Sequence, residues 1–252
     1  MNSMSHLIWT KADLHLHTTH SDGMATVPEL LEHVATQTDL KVIAITDHDE
    51  IIGAKHAARM AARFGLEVVV GEEVSTADGH LLALFIDKHL PKGRPVAETL
   101  AAIHAQGGLA IAPHPFDASV QSLGCGSARA QFFDLPFDGI EGFNGGVLWQ
   151  ERSCNRVARK AAAQRNLPVL GNSDAHSLNT VGKGFTWFNG RSANDLYRAI
   201  KANAVQWAGS YWSPRDYAEI CWRGTKQHGA WEYMRWVLSM SGQSGQHQAT
   251  LS

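Results

Sequence analysis

The sequence sets imidazoles and carboxylates at spacings that suit metal coordination. In Asp13-Leu14-His15-Leu16-His17 polar and apolar side chains alternate, so an extended segment puts His15 and His17 on one face, where two imidazoles can reach one ion. Ser21-Asp22-Gly23 follows with a carboxylate in a turn. Further chemistry-bearing residues stand in Asp47-His48-Asp49, Glu72-Glu73, His80, Pro113-His114-Pro115 and Asp174-Ala175-His176. Each has an ordinary alternative when taken alone: a single buried histidine is more often a hydrogen-bonded structural group, and an aspartate before a helix commonly caps it. Taken together they are harder to explain by packing, because burying so many ionisable groups side by side without a cation is costly. Nitrogen and oxygen donors without thiolates suit Zn, Mn or Fe, and clustered carboxylates point to more than one ion. The 14 histidines in 252 residues supply the commonest metal ligand in excess.

These groups fall where short apolar runs end. Seven runs read as strands, at 11–17, 41–46, 67–74, 80–86, 109–112, 139–143 and 168–171. Helical patterns alternate with them at 26–36, 52–64, 96–106 and 148–166. A further helix begins at Ser192-Ala193-Asn194-Asp195 and runs to about 202, and Thr26-Val27-Pro28-Glu29 forms a capping box at the first. This rhythm predicts an α/β fold with βα units around a parallel sheet or barrel, in which the carboxyl ends of the strands form one mouth. Residues 116–136 show little periodicity and read either as a loop near the site or as an irregular helix.

Composition narrows the function classes. Hydrophobic residues make up 44% and charged residues 18%, as in an ordinary globular chain. Lys and Arg number 22 against 24 for Asp and Glu, a net charge of −2, so a general polyanion-binding field is not expected and phosphate charge must be met locally. The 3 cysteines, Cys125, Cys154 and Cys221, lie far apart, which argues against a disulfide framework or thiolate site. A reducing, cytoplasmic setting is expected, with neither signal peptide nor membrane span. Trp212, Trp222, Trp231 and Trp236 supply half of the 8 tryptophans after Gly209, and they read as packing against the main body ahead of a polar end expected to be disordered.

The ordered set Asp13-Leu14-His15-Leu16-His17, Ser21-Asp22-Gly23, Thr46-Asp47-His48-Asp49, Gly71-Glu72-Glu73, His114-Pro115 and Asp174-Ala175-His176 resembles the successive motifs of the PHP (polymerase and histidinol phosphatase) domain. The likeness spans about 11–186. It implies a distorted seven-stranded (β/α) barrel with a short C-terminal extension, within a domain at 1–209 followed by a tryptophan-rich segment at 210–252. It also implies two or three divalent ions, Mn, Fe or Zn. On that resemblance His15, His17, Glu73 and Asp174 would hold one ion. Glu73 would bridge to a second at His114 and His80, the position where family members vary. Asp22, His48 and His176 would hold a third. Gly182-Lys183-Gly184-Phe185-Thr186 and 138–145 resemble the free-standing phosphoesterase branch.

The activity implied is hydrolysis of a phosphoester by a metal-activated hydroxide, with no protein nucleophile required. A small phosphorylated metabolite or nucleotide is favoured over long nucleic acid, since a near-neutral chain gains little from counterion release. The alternatives are exonuclease or 5′-end trimming of short RNA or DNA, C–N hydrolysis by an amidohydrolase-like centre, and a non-catalytic metal-binding regulatory module. Lys183 and Arg129 are either phosphate contacts or solvated charges. His20 is either close to the site or a surface imidazole. Asn144 and Glu141 either bind substrate, order water or serve the structure.

Overall fold

The computed structural model describes residues 8–148, 150 and 152–228. Trp231 and Trp236, and with them the polar end, lie outside the described residues. Nine strands form one sheet: β1 (Trp9–Asp13), β2 (Leu40–Ile45), β3 (Glu67–Ser75), β4 (His80–Leu84), β5 (Leu109–Ala112), β6 (Gly139–Asn144), β7 (Val169–Asn172), β8 (Gly184–Asn189) and β9 (Val205–Gly209). Among the described residues six α-helices flank it: α1 (Val27–Gln37), α2 (Ile52–Met60), α3 (Val96–Ala105), α4 (Ser153–Arg165), α5 (Ala193–Lys201) and α6 (Pro214–His228). The expected seven strands are all present, and β8 and β9 extend the sheet beyond β1 in the order β7-β6-β5-β4-β3-β2-β1-β8-β9. None of the six helices is long and apolar enough to cross a membrane.

Alternation explains why the strands read as unbroken apolar runs. Ala12, Leu14, Val42, Ala44, Leu82, Leu84, Leu109, Ile111, Leu170 and Phe188 meet in one cluster inside the barrel. Their neighbours face outward, Ile43 and Ile45 against α1 and α2, Leu81, Ala83, Ala110 and Ala112 against α3 and α4. Both faces of these strands are therefore covered, as in other helix-wrapped sheets. Helix α1 starts where the capping box predicts, with the Thr26 N–H donating to Glu29 Oε2 at 2.8 Å.

The sheet curls back on itself where β7 meets β8. The Gly171 N–H donates to Thr186 Oγ1, which donates in turn to the Gly171 carbonyl, both at 3.0 Å. Only glycine suits position 184, since a Cβ there would stand 1.9 Å from the Asn172 carbonyl oxygen. Strand direction departs from a regular barrel: β4 runs antiparallel to β3 and β5, and β8 antiparallel to β1 and β9. In consequence the first residue of β4, His80, lies at the same end of the barrel as the last residues of the parallel strands.

A candidate metal centre at the barrel mouth

Strand β1 ends at Asp13, and the chain continues extended across the mouth. The Leu14 N–H donates to Asn172 Oδ1 at 3.1 Å and the Leu16 N–H to Thr46 Oγ1 at 3.2 Å, while Leu16 also bridges to Ala175. Leu14 and Leu16 are buried in the apolar layers on either side, so His15 and His17 stand together with ring centroids 5.1 Å apart. Asp47 clamps the following turn, accepting the Thr18 N–H at 2.6 Å, Thr18 Oγ1 at 2.7 Å and Ser21 Oγ at 2.8 Å. This turn delivers Asp22. A Cβ at Gly23 would lie 2.3 Å from the His17 carbonyl, which explains the glycine.

The other eight residues named above as donors gather in one cluster with Glu73, which is 1% exposed. Its Oε2 lies 3.0 Å from His15 Nε2, 3.4 Å from His17 Nε2 and 3.4 Å from His48 Nδ1. Its Oε1 faces a different pair, His80 Nδ1 at 3.1 Å and His114 Nε2 at 3.1 Å. Asp174 Oδ1 stands 3.2 Å from His15 Nε2 and 3.3 Å from His17 Nε2. Asp22 Oδ2 stands 3.1 Å from His176 Nε2 and 3.5 Å from His48 Nε2. Four overlapping donor groups result: His17, Asp22, His48 and His176; His15, His17 and Glu73; His15, His114 and Asp174; His48, Glu73 and His80. The first gathers Asp22, His48 and His176 around His17 as well, and His48 is shared between two groups.

The donor set fits cations. Both ring nitrogens of His17, Nδ1 of His48 and Nδ1 of His80 are buried without a hydrogen-bond partner, an expensive arrangement that a coordinated ion relieves. Electrostatics agree. Burial alone would push the imidazoles down, yet Asp174, Glu73 and Glu141 hold His15 well above its ordinary value. Asp22 and Asp174 overcome the same burial at His176 and raise it to about 9. Burial would likewise raise Glu73, but His15, His48 and His80 keep it well below the usual carboxylate range. Burial dominates at His17 and His80, which are pushed down. Protons shared among imidazoles thus play the part that divalent ions would take over.

A second layer fixes the donors. Glu141, fully buried, accepts His15 Nδ1 at 3.0 Å, Asn172 Nδ2 at 2.9 Å, the His114 N–H at 2.7 Å and Asn144 Nδ2 at 2.8 Å. Holding the proton on His15 Nδ1 leaves Nε2 free to coordinate. Asn144 Nδ2 also donates to Asp174 Oδ2 at 3.0 Å. Beneath lies Asp13, which burial raises to about 7 while it accepts the N–H groups of Ser173 and Gly182. His114 and Asp174 have positive φ of 27° and 56°, backbone conformations that cost energy and concentrate at functional sites. Sequence spacing carries no signal for Asp13 or for the fan of bonds to Glu141, because their partners are distant in the chain.

Of the other residues named above, Lys183 Nζ pairs with the Asp216 carboxylate of α6. His20 is exposed beside the turn, its N–H donating to Thr18 Oγ1 at 3.2 Å. Arg129 is exposed on a 3-10 turn at Ser127–Ala130 and makes no recorded contact with the cluster among the described residues. The aperiodic segment 116–136 is a loop beside the site, and its Ser122 hydroxyl donates to the His114 carbonyl at 2.6 Å. Trp212 is buried at the rim, its Nε1 donating to the Ser173 carbonyl at 3.1 Å and its ring centroid 6.1 Å from that of His176.

Residues 13–131 match the PHP domain and residues 152–205 the PHP-associated family. An uncharacterized protein of Methanocaldococcus jannaschii is 39% identical over 144 residues, covering 53% of this chain and 81% of that protein. A 5′-3′ exoribonuclease of Haemophilus influenzae is 35% identical over 105 residues, 40% of this chain and 38% of its own length. This chain therefore spans well under half of that relative. Among solved structures, a two-domain protein from Bacteroides vulgatus containing a predicted PHP-like metal-dependent phosphoesterase shares the fold, with a TM-score of 0.67 and 19% identity over 83% of this chain and 67% of that one.

Proposed function

The chain belongs to the PHP family, and from that premise we propose that it hydrolyses a small phosphomonoester or nucleotide with two or three divalent ions, Mn, Fe or Zn. The observation that carries the reading is the gathering of nine nitrogen- and oxygen-bearing residues, Glu73 among them, in which four buried imidazole nitrogens have no hydrogen-bond partner. The proposed ligands are His15, His17, Glu73 and Asp174 for one ion, Glu73, His80 and His114 for a second, and Asp22, His48 and His176 for a third. The two oxygens of Glu73 face separate imidazole sets, which supports a bridging role.

When bound, divalent ions supply Lewis-acid polarisation of the phosphoryl group and offset charge on the departing oxygen. The protein's own residues set the stage. Glu141 retains the proton on His15 Nδ1, and Asn144 fixes the Asp174 carboxylate through its amide. Trp212 closes one side of the mouth and limits water access beside His176. No serine, cysteine or threonine is assigned as a nucleophile.

A second reading, trimming of short RNA or DNA from the 5′ end, is favoured by the name of the Haemophilus influenzae relative. The test is phosphate release by Mn-loaded protein from a panel of alkyl phosphates, nucleoside monophosphates and 5′-phosphorylated short RNA and DNA. Small monoesters are expected to release phosphate, and a chelator to abolish it. Liberation of mononucleotides from RNA or DNA, with monoesters left intact, would establish the second reading instead. No turnover of any kind would leave a non-catalytic metal-binding module.

A further inference from the structure

The donor cluster opens on one side into a small pocket of about 200 Å³. His114, Asp174 and His176 line it at the cluster, so a group bonded to a phosphoryl held there can extend into it. The walls are Val120, Val147, Leu148, Trp212 and Ile220, with Gly146 lying flat against the Trp212 ring. They are pre-organised. The Trp212 N–H donates to the Gly145 carbonyl at 2.9 Å, and Tyr217 Oη donates to the Gly146 and Val147 carbonyls at 3.1 and 3.0 Å.

Away from the donor cluster the charge is negative. Among the described residues its lining includes no lysine or arginine, and the polar groups away from the donor cluster are Asp117, Ser119 and Asn144. Asp117 is 3% exposed and accepts both the Ser119 N–H and the Ser119 hydroxyl on Oδ1. Lys183 is paired with Asp216 of α6. A second phosphate placed away from the donor cluster would meet a buried carboxylate and no lysine or arginine of the lining, which likewise offers a polynucleotide backbone no basic side chain.

We propose that this pocket receives the organic group of the substrate, that this group is an uncharged, largely apolar ring system carrying a hydrogen-bond donor for Asp117, and that Trp212 and Ile220 select it. The inference rests on the phosphoesterase reading and narrows it to monoesters bearing a single phosphate. Trp212 and Ile220 both come from the segment after Gly209, so this part of the chain acts in specificity through Trp212, whereas Trp222, expected to pack against the main body, is 63% exposed.

The experiment compares three alkyl phosphates with the Mn-loaded full chain: 2-(4-hydroxyphenyl)ethyl phosphate, ethyl phosphate and a hexose bisphosphate. Similar leaving groups leave the pocket as the main variable. Burial of the ring is expected to raise kcat/KM at least about 10-fold over ethyl phosphate, chiefly through KM, with the bisphosphate poorest. Ile220→Ser should shrink the ratio several-fold. Leu148→Ser, at a position 42% exposed and so tolerant of change, guards against a folding defect in the first variant and should shrink the ratio too. Equal use of the ring-bearing and ethyl esters, preference for the bisphosphate, or an unchanged ratio in both variants overturns the inference while leaving the phosphoesterase reading intact. Absence of phosphate release from all three, with turnover of nucleoside monophosphates or short RNA and DNA, overturns the inference alone; absence of release from that wider panel as well overturns both.

Discussion

Glu141 takes four hydrogen bonds with its two carboxylate oxygens and none from solvent, so its value lies in being an acceptor at every lone pair. An amide of the same shape has one oxygen and two N–H donors, which would confront His15 Nδ1 or the His114 N–H. Glu141→Gln is expected to lower metal affinity about 10- to 100-fold while the fold persists, because the side chain touches the donors and not the ions. Calorimetric metal titration, read beside far-UV circular dichroism, checks this. Wild-type affinity in a folded variant would show that His15 needs no such partner. Among the nine candidate donors, His80 could be named from the sequence because it opens an apolar run, and the other eight because each sits in a short motif after one. Glu141 shares that position, but its partners His15 and His114 are 126 and 27 residues away, so its bonds leave no local trace.

Among the elements, α6 is tied to the barrel by Lys183 and Asp216, with the Ser213 N–H also donating to the Asp216 carboxylate at 2.5 Å. Burial would raise Asp216, but the hydrogen bonds from Lys183 and Ser213 outweigh it and hold the group below its ordinary value. A carboxylate lowered on folding contributes stability that is complete above its unfolded pKa, near 4, and is lost as pH falls through the lower folded value. Docking of α6 should therefore be insensitive to pH from neutrality to about 4 and weaken in stronger acid. Fluorescence of Asp216→Asn compared with the parent chain reports it, since Trp212 stands two residues before α6; identical acid profiles would exclude the ion pair as the cause. Strands β1 to β7 were legible because buried β-branched runs end in chemistry-bearing residues. Strand β9 was not, since Val205–Gly209 is largely exposed and shows no alternation. The antiparallel course of β4 was equally hidden, because direction depends on pairing with β3 and β5 and not on local composition.

At the scale of the whole molecule, buried imidazoles and carboxylates make the metal-free barrel less stable than its apolar core alone would allow. An ion bound to the folded chain only, at 100 times its dissociation constant, adds about 2.7 kcal/mol. For a chain of this size that corresponds to a rise in Tm of roughly 5–10 °C. Thermal unfolding followed across a Mn titration should show such a rise, reversed by a chelator. A Tm that does not respond would mean that the centre is not coupled to folding.

Closure of the barrel also imposes an order in time. Asp13 accepts the N–H groups of Ser173 and Gly182, and Asn172 accepts the Leu14 N–H, joining stretches about 160 residues apart in sequence. Contacts of such separation form late, after the nearer strand pairs have paid their own entropy. Seven of the nine donors, from His15 to His114, precede β6, yet His15 and His17 gain their carboxylate partner Asp174 only when β7 docks beside β1. During refolding, high-affinity uptake of metal should therefore coincide with the meeting of the chain's first and seventh strands, making the ion a timer for completion of the barrel.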